Sequence, residues 1–122
     1  MPTVLIVVDD DVVRKILLTI FNLDSGFEAR VEVANSVEAI VKVKQLLPNL
    51  AILGSSMREM NGLQLARRIK SIAPELPIFM LTTGHDAAIE KEALSCGVNA
   101  LFSRFDDLAT LVANARLVCG IE

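Results

Sequence analysis

Tryptophan and tyrosine are absent from this sequence, histidine occurs once and cysteine twice. No Trp or Tyr is therefore available to stack on a flavin, and with His85 alone a histidine-based triad or polyhistidine metal site has too few members. Cys96 and Cys119 are too few for a disulfide framework and lack the Cys-x-x-Cys spacing of a zinc or redox site, so both are expected as small apolar fillers. Long apolar runs are missing too: Thr3–Val8 and Pro77–Leu81 are strand-sized, against the roughly 20 residues that span a bilayer. The start Met1-Pro2-Thr3-Val4 has no basic n-region, so no secretory signal is expected and a cytoplasmic location is the simplest. Nor is there an excess of positive charge. Twelve Lys and Arg against fifteen Asp and Glu give a net charge of −3, which argues against a generic binder of nucleic acid or anionic membrane.

What is present is apolar content in quantity. Of the 122 residues, 52% are hydrophobic and 22% charged, the composition of one compact domain over residues 1–122. A chain of this size buries roughly two-thirds of its unfolded surface, so neither metal nor disulfide is needed to hold it together.

The apolar periodicity switches repeatedly between strand-like runs and helix-like stripes, the pattern of an α/β domain. Val4-Leu5-Ile6-Val7-Val8 reads as a central strand covered on both faces. After Asp9-Asp10-Asp11, the residues Val12, Val13, Ile16, Leu17, Ile20 and Phe21 recur at three- and four-residue steps, and Asp24-Ser25-Gly26 reads as the helix end. Phe27–Ala34 reads as a second strand. Asn35-Ser36 caps a helix to Leu47, ended by Pro48-Asn49. Leu50–Leu53 is a short third strand, and residues 54–62 form a loop before a helix Leu63–Ile72. The remaining segments are a strand Ile78–Thr82, a helix Ala87–Ser95 with Gly97 at its C′ position, a strand Ala100–Ser103 and a helix Leu108–Cys119. Five strands and five helices in alternation predict a doubly wound parallel sheet, with ligands at the carboxyl ends of the strands.

At that edge several loops bring acid, hydroxyl and base together: Asp9, Asp10 and Asp11; Gly54 to Met57; Thr82 and Thr83; Arg104. Adjacent carboxylates repel by about 4 kcal/mol at about 4 Å and an effective dielectric near 20, so Asp9 and Asp10 favour a cation such as Mg²⁺ between them. Aspartate is equally a favoured helix N-cap, and the acid run also reads as capping and dipole complementarity.

The segments Val7-Val8-Asp9-Asp10-Asp11, Pro48-Asn49-Leu50-Ala51-Ile52-Leu53, Ser56-Met57-Arg58-Glu59-Met60-Asn61-Gly62-Leu63, Pro77-Ile78-Phe79-Met80-Leu81-Thr82 and Gly97-Val98-Asn99-Ala100 resemble the CheY-like receiver domain of two-component response regulators. The resemblance covers essentially the whole chain. It implies a flavodoxin-like (βα)5 fold with strand order 2-1-3-4-5. In that family an acidic pair after strand one and a phosphoacceptor Asp at the end of strand three hold Mg²⁺. A Thr or Ser after strand four and a Lys after strand five contact the phosphoryl oxygens and move the face of helix four, strand five and helix five. The acidic pair maps onto Asp9 and Asp10, with the Ser56 backbone as a further ligand, and the hydroxyl maps onto Thr82.

The acceptor maps onto Gly54, which has no side chain to phosphorylate. The usual Lys is Arg104, followed by Phe105 in place of Pro. Arg58 stands where another Pro is usual, and Leu101, with Phe102 beside it, holds the place of the switch aromatic. With no carboxylate at 54, Mg²⁺ is expected to bind weakly. Arg104 reads either as a two-pronged clamp on Asp9 or Asp10 in place of the metal or as a solvated surface arginine. Thr82 reads as a helix cap or a phosphate sensor. Ser55 and Ser56 are the candidate replacement acceptors, and His85 reads as an exposed loop residue.

The function these residues imply is a degenerate receiver, a non-enzymatic regulatory module that contacts a sensor histidine kinase or a downstream effector. Residues 86–119 form its expected contact face and the seat of a weak homodimer, without direct nucleic-acid or membrane contact. The alternatives are a phosphorelay receiver phosphorylated elsewhere and a flavodoxin-like redox carrier. The acidic loop after strand one disfavours the carrier, because an FMN phosphate needs amides and hydroxyls there.

Overall fold

The computed structural model describes residues 2–27, 29–56, 60–83, 87–103 and 108–121. Among these residues ten elements alternate: β1 (Thr3–Val7), α1 (Asp11–Leu23), β2 (Ala29–Val33), α2 (Ser36–Leu46), β3 (Leu50–Gly54), α3 (Gly62–Ile72), β4 (Ile78–Thr82), α4 (Ala87–Ser95), β5 (Ala100–Ser103) and α5 (Leu108–Val118). The strands form one parallel sheet in the order β2-β1-β3-β4-β5, the flavodoxin-like arrangement expected.

The unbroken apolar runs exist because both faces of the sheet are covered, and every residue of β3 and β4 is buried. Alternate residues serve opposite faces. Leu5, Val7, Ala51, Leu53, Ile78 and Met80 pack against Ala39 and Val43 of α2, Leu65, Ala66 and Ile69 of α3, and Ala93 of α4. On the other face Val4, Ile6, Leu50, Ile52, Phe79 and Leu81 pack against Leu17 and Phe21 of α1 and Leu111 and Ala115 of α5.

Several boundaries differ from the sequence reading by a residue or two. The second strand starts at Ala29 rather than Phe27, because the Phe27 amide closes a turn on the Asp24 carbonyl at 3.3 Å. Its ring instead sits edge-on to Phe21, with centroids 4.8 Å apart. α1 ends where the sequence has it, with Asp24 as the C-cap in extended conformation, and Gly26 has no positive φ. A Cβ at Gly26 would lie 2.7 Å from Arg116 Nη1 and 3.0 Å from Ile121 Cγ2, so a side chain there would push on the Asp24–Arg116 pair. α5 ends at Val118, with Cys119 just outside it. Gly97 has the positive φ, 96°, that its place after α4 predicts.

The amino ends of the strands are closed by asparagine. Thr3 N donates to Asn49 Oδ1 at 2.9 Å and Asn49 N to Thr3 O at 2.8 Å. Asn99 repeats this with Ile78, at 2.8 Å in each direction. Beside them Lys70 donates to the Leu76 carbonyl at 2.6 Å. Burial lowers the Lys70 pKa, and the neighbouring Glu75 offsets part of that effect.

Candidate functional site

The carboxyl ends of β1, β3 and β4 surround a cleft of about 130 Å³. Asp9 and Asp10 enter it beyond β1, Gly54, Ser55 and Ser56 at the end of β3, and Thr82 and Thr83 from β4, while Val8, Val13 and Leu81 supply an apolar wall. The structure therefore brings together the acids, the glycine and the hydroxyls that the sequence singled out.

The acid run is not used as a uniform pair. Asp10 is the N-cap of α1, its Oδ1 accepting from Val12 N at 2.9 Å and Val13 N at 3.1 Å. Of the two readings of the acid run, capping is seen at Asp10. Asp11, in the first turn, pairs with Arg14. Asp9 is half-buried at the cleft.

Arg14 was not anticipated. Its Nη1 donates to the Val8 carbonyl at 2.7 Å, and its Nε lies 3.6 Å from Glu32 Oε2. The Val8 amide meanwhile donates to Val33 O at 3.3 Å, so both backbone groups of Val8 are held. The available signal was spacing, since a cation three residues after Asp11 lies over the first turn of the same helix.

Gly54 closes β3 and is buried. The chain then turns back on itself: Ser55 N donates to Leu81 O at 2.8 Å and Gly62 N to Ser55 O at 3.1 Å. Asn61 caps α3 in a capping box with Gln64. A Cβ at Gly62 would fall 2.2 Å from Gly54 O and 2.9 Å from Ser55 Cα, so the first residue of α3 lies directly on the end of β3. Sequence reading had Asn61-Gly62 only as part of a motif.

Thr82 is buried, closes β4 and pairs in register with Ser103. It is a strand residue, with α4 starting farther on at Ala87. Leu101 is half-buried and packs on the face of α2, α3 and α4, whereas Phe102 meets Phe79 on the other face with centroids 5.2 Å apart. Met57, Arg58, His85, Arg104 and Phe105 lie outside the described residues. Cys96 is buried, accepting from Arg67 Nε at 3.1 Å, and burial pushes the Cys119 thiol pKa up. Both are free thiols.

Among the described residues no three His, Cys, Asp or Glu are grouped to hold a metal ion. The carboxylates at the cleft are Asp9 and the capping Asp10, and Gly54 supplies only backbone. Among the same residues no helix is long and apolar enough to cross a membrane.

This arrangement has counterparts among known proteins. The transcriptional regulatory protein LnrK of Bacillus subtilis is 30% identical over 109 residues, covering 89% of this chain and 50% of its own length. The chemotaxis protein CheY of Thermotoga maritima is 29% identical over 92 residues, 75% of this chain and 77% of that protein. The chain thus spans about half the length of LnrK. Among solved structures, the Francisella response regulator 1452 receiver domain superposes with a TM-score of 0.90 at 16% identity, covering 98% of each chain. Vibrio cholerae CheY4 does so with a TM-score of 0.85 at 22% identity, covering 97% of this chain and 98% of the other. The response regulator receiver domain family matches residues 4–116, from the first buried residue of β1 to the last turn of α5. With strand order, carboxyl-edge cleft and sequence match in agreement, the chain belongs to the response regulator receiver domain family.

Proposed function

We propose that this receiver domain works as a regulatory interaction module of two-component signalling, without phosphoryl transfer at the family's usual place and without an enzymatic activity of its own. The observation that carries the reading is Gly54, which ends β3 at the floor of the cleft between Asp9 and Thr82. An acyl phosphate requires a carboxylate nucleophile, and glycine has no side chain. Receiver domains act by contacting histidine kinases and effectors, and that contact survives the loss of the acceptor.

By resemblance the contact face is formed by residues 86–119, which include α4, β5 and α5. Ile89 and Leu94 of α4 are exposed there, at 37% and 51% of their surface. The same face is the proposed seat of a weak homodimer. Arg104, next in sequence after β5, is proposed to neutralise Asp9 or Asp10. Arg104→Ala then lowers unfolding stability, and an unchanged unfolding midpoint removes that role.

One observation favours a second reading. Ser55 and Ser56 line the cleft, and a hydroxyl phosphorylated there would keep the chain in a phosphorelay. Intact mass after incubation with Mg²⁺ and acetyl phosphate separates the two. The proposal expects no added phosphoryl group on the parent chain, beside a conventional receiver that gains one. A phosphorylated parent overturns the proposal and makes Ser55 and Ser56 the first residues to map.

A further inference from the structure

The cleft differs from a cation site on two strands rather than one. The parallel register pairs Ile6 with Ile52 and Val7 with Leu53. One step on, Val8 stands beside Gly54, and both line the cleft. Side chains paired in this register share a face: Val7 and Leu53 belong to the cluster under α2, α3 and α4, and Ile6 and Ile52 to the cluster under α1 and α5. Val8 follows the alternation into the second cluster, is only 5% exposed, and has its backbone held by Val33 and Arg14. The next acid, Asp9, comes one residue later, and the one after it caps α1 through Val12 and Val13. The acid run is therefore displaced by one residue along the chain from the place beside Gly54.

We propose that Val8 and Gly54 together disable the cation site, so that restoring a carboxylate at position 54 alone does not create one, whereas restoring carboxylates at both positions does. This rests on the reading of Gly54 as the vacant acceptor position. Adjacent strands lie about 4.8 Å apart, so carboxylates at 8 and 54 reach one ion at the roughly 2.1 Å oxygen distance of Mg²⁺. Asp9 remains as a third oxygen ligand at the cleft. Asp10 Oδ1 is committed to the amides of Val12 and Val13, which fixes the carboxylate to the first turn of α1.

The test is titration with Mn²⁺, followed by water-proton relaxation, of the parent, Gly54→Asp, Val8→Asp with Gly54→Asp, and Val8→Asn with Gly54→Asp. Circular dichroism checks folding. The Asn variant keeps an oxygen ligand at position 8 without burying a charge in the metal-free chain, should Val8→Asp not fold. The expected result is one saturable site in the folded double variant and none in the parent or in Gly54→Asp. Saturable binding by Gly54→Asp alone overturns the inference, most directly if Asp10→Asn, which keeps the cap but not the charge, then abolishes it. A folded double variant that stays silent overturns it as well. Because the readout is metal binding, it fails separately from the proposed function: a phosphorylated parent contradicts that reading and leaves the titration unaffected.

Discussion

The two ends of the sheet use similar polar residues for opposite purposes. At the amino end Asn49 and Asn99 each precede a strand and exchange two hydrogen bonds with the first residue of a neighbour, Thr3 and Ile78. The asparagine side chains accept from the Thr3 and Ile78 amides and the asparagine amides donate to the Thr3 and Ile78 carbonyls, beside a groove lined by Val43, Asn49, Ile72 and Pro77. At the carboxyl end Asp9, Ser55, Ser56 and Thr83 line a cleft, and the turn back to α3 brings Gly62 onto Gly54. At one end hydrogen bonds join the starts of the strands, and the other is shaped by what glycine omits. The comparison teaches that the side chains left open to a ligand gather at the carboxyl end, while the amino end uses its asparagines to join strands.

The largest effect belongs to the carboxyl end. Gly62→Ala places a Cβ 2.2 Å from the Gly54 carbonyl and 2.9 Å from Ser55 Cα, both backbone atoms with little freedom to retreat. Overpacking of this kind is expected to destabilise by about 3 kcal/mol, read as a lower urea midpoint at unchanged slope. A near-neutral result would mean that the contact between α3 and β3 is loose.

Closing bonds at the amino end come next. Asn99→Ala strips the Ile78 amide of its 2.8 Å partner at a half-buried site and is expected to cost about 2 kcal/mol. Asn49→Ala, whose bond to Thr3 is more exposed, should cost less. Equal costs at the two asparagines would show that burial does not set their weight.

The cap is smaller still. Asp10→Ala should cost about 1 kcal/mol and Asp10→Asn only a fraction of that, because Asn also accepts from the α1 amides. If Asp10→Asn is as damaging as Asp10→Ala, the charge of Asp10 rather than its cap is what the fold uses.

The smallest effect is pH-dependent and lies away from both ends, where α1 meets α5. Burial of Asp24 raises its pKa, but the Gly26 amide and the Arg116 guanidinium outweigh it and hold the carboxyl below its usual 3.8. A lowered folded pKa contributes stability above the unfolded value, and that contribution is lost as pH falls through the folded value. Asp24→Asn should therefore lower the urea midpoint near neutrality, and the gap from the parent should narrow below pH 3.8. A gap that persists in acid would assign the effect to hydrogen-bond geometry rather than charge.

Much of this was legible in the sequence, for physical reasons. β4, α4 and β5 follow the bounds read from apolar periodicity because Pro77 and Gly97 punctuate them sharply. Phe27 misled because an apolar residue beside a strand can enter the core from a turn, as it does against Phe21. The acid run concealed its own frame. Three consecutive aspartates satisfy both a cap and a cation pair, and only the amides of Val12 and Val13 reveal which one caps. The proposed displacement of the acids past Val8 rests on that cap and on strand register, neither of which composition or motif spacing encodes.

The most direct test of the central claim is amide NMR of the parent chain with Mg²⁺, before and after adding beryllofluoride, a mimic of the phosphoryl group. The account predicts an unchanged spectrum, because neither an acceptor carboxylate nor a competent cation site is there to hold it. Saturable shifts at Thr82 and through β5 and α5 would show that the cleft still receives a phosphoryl-like group and passes it to the contact face, contradicting the account.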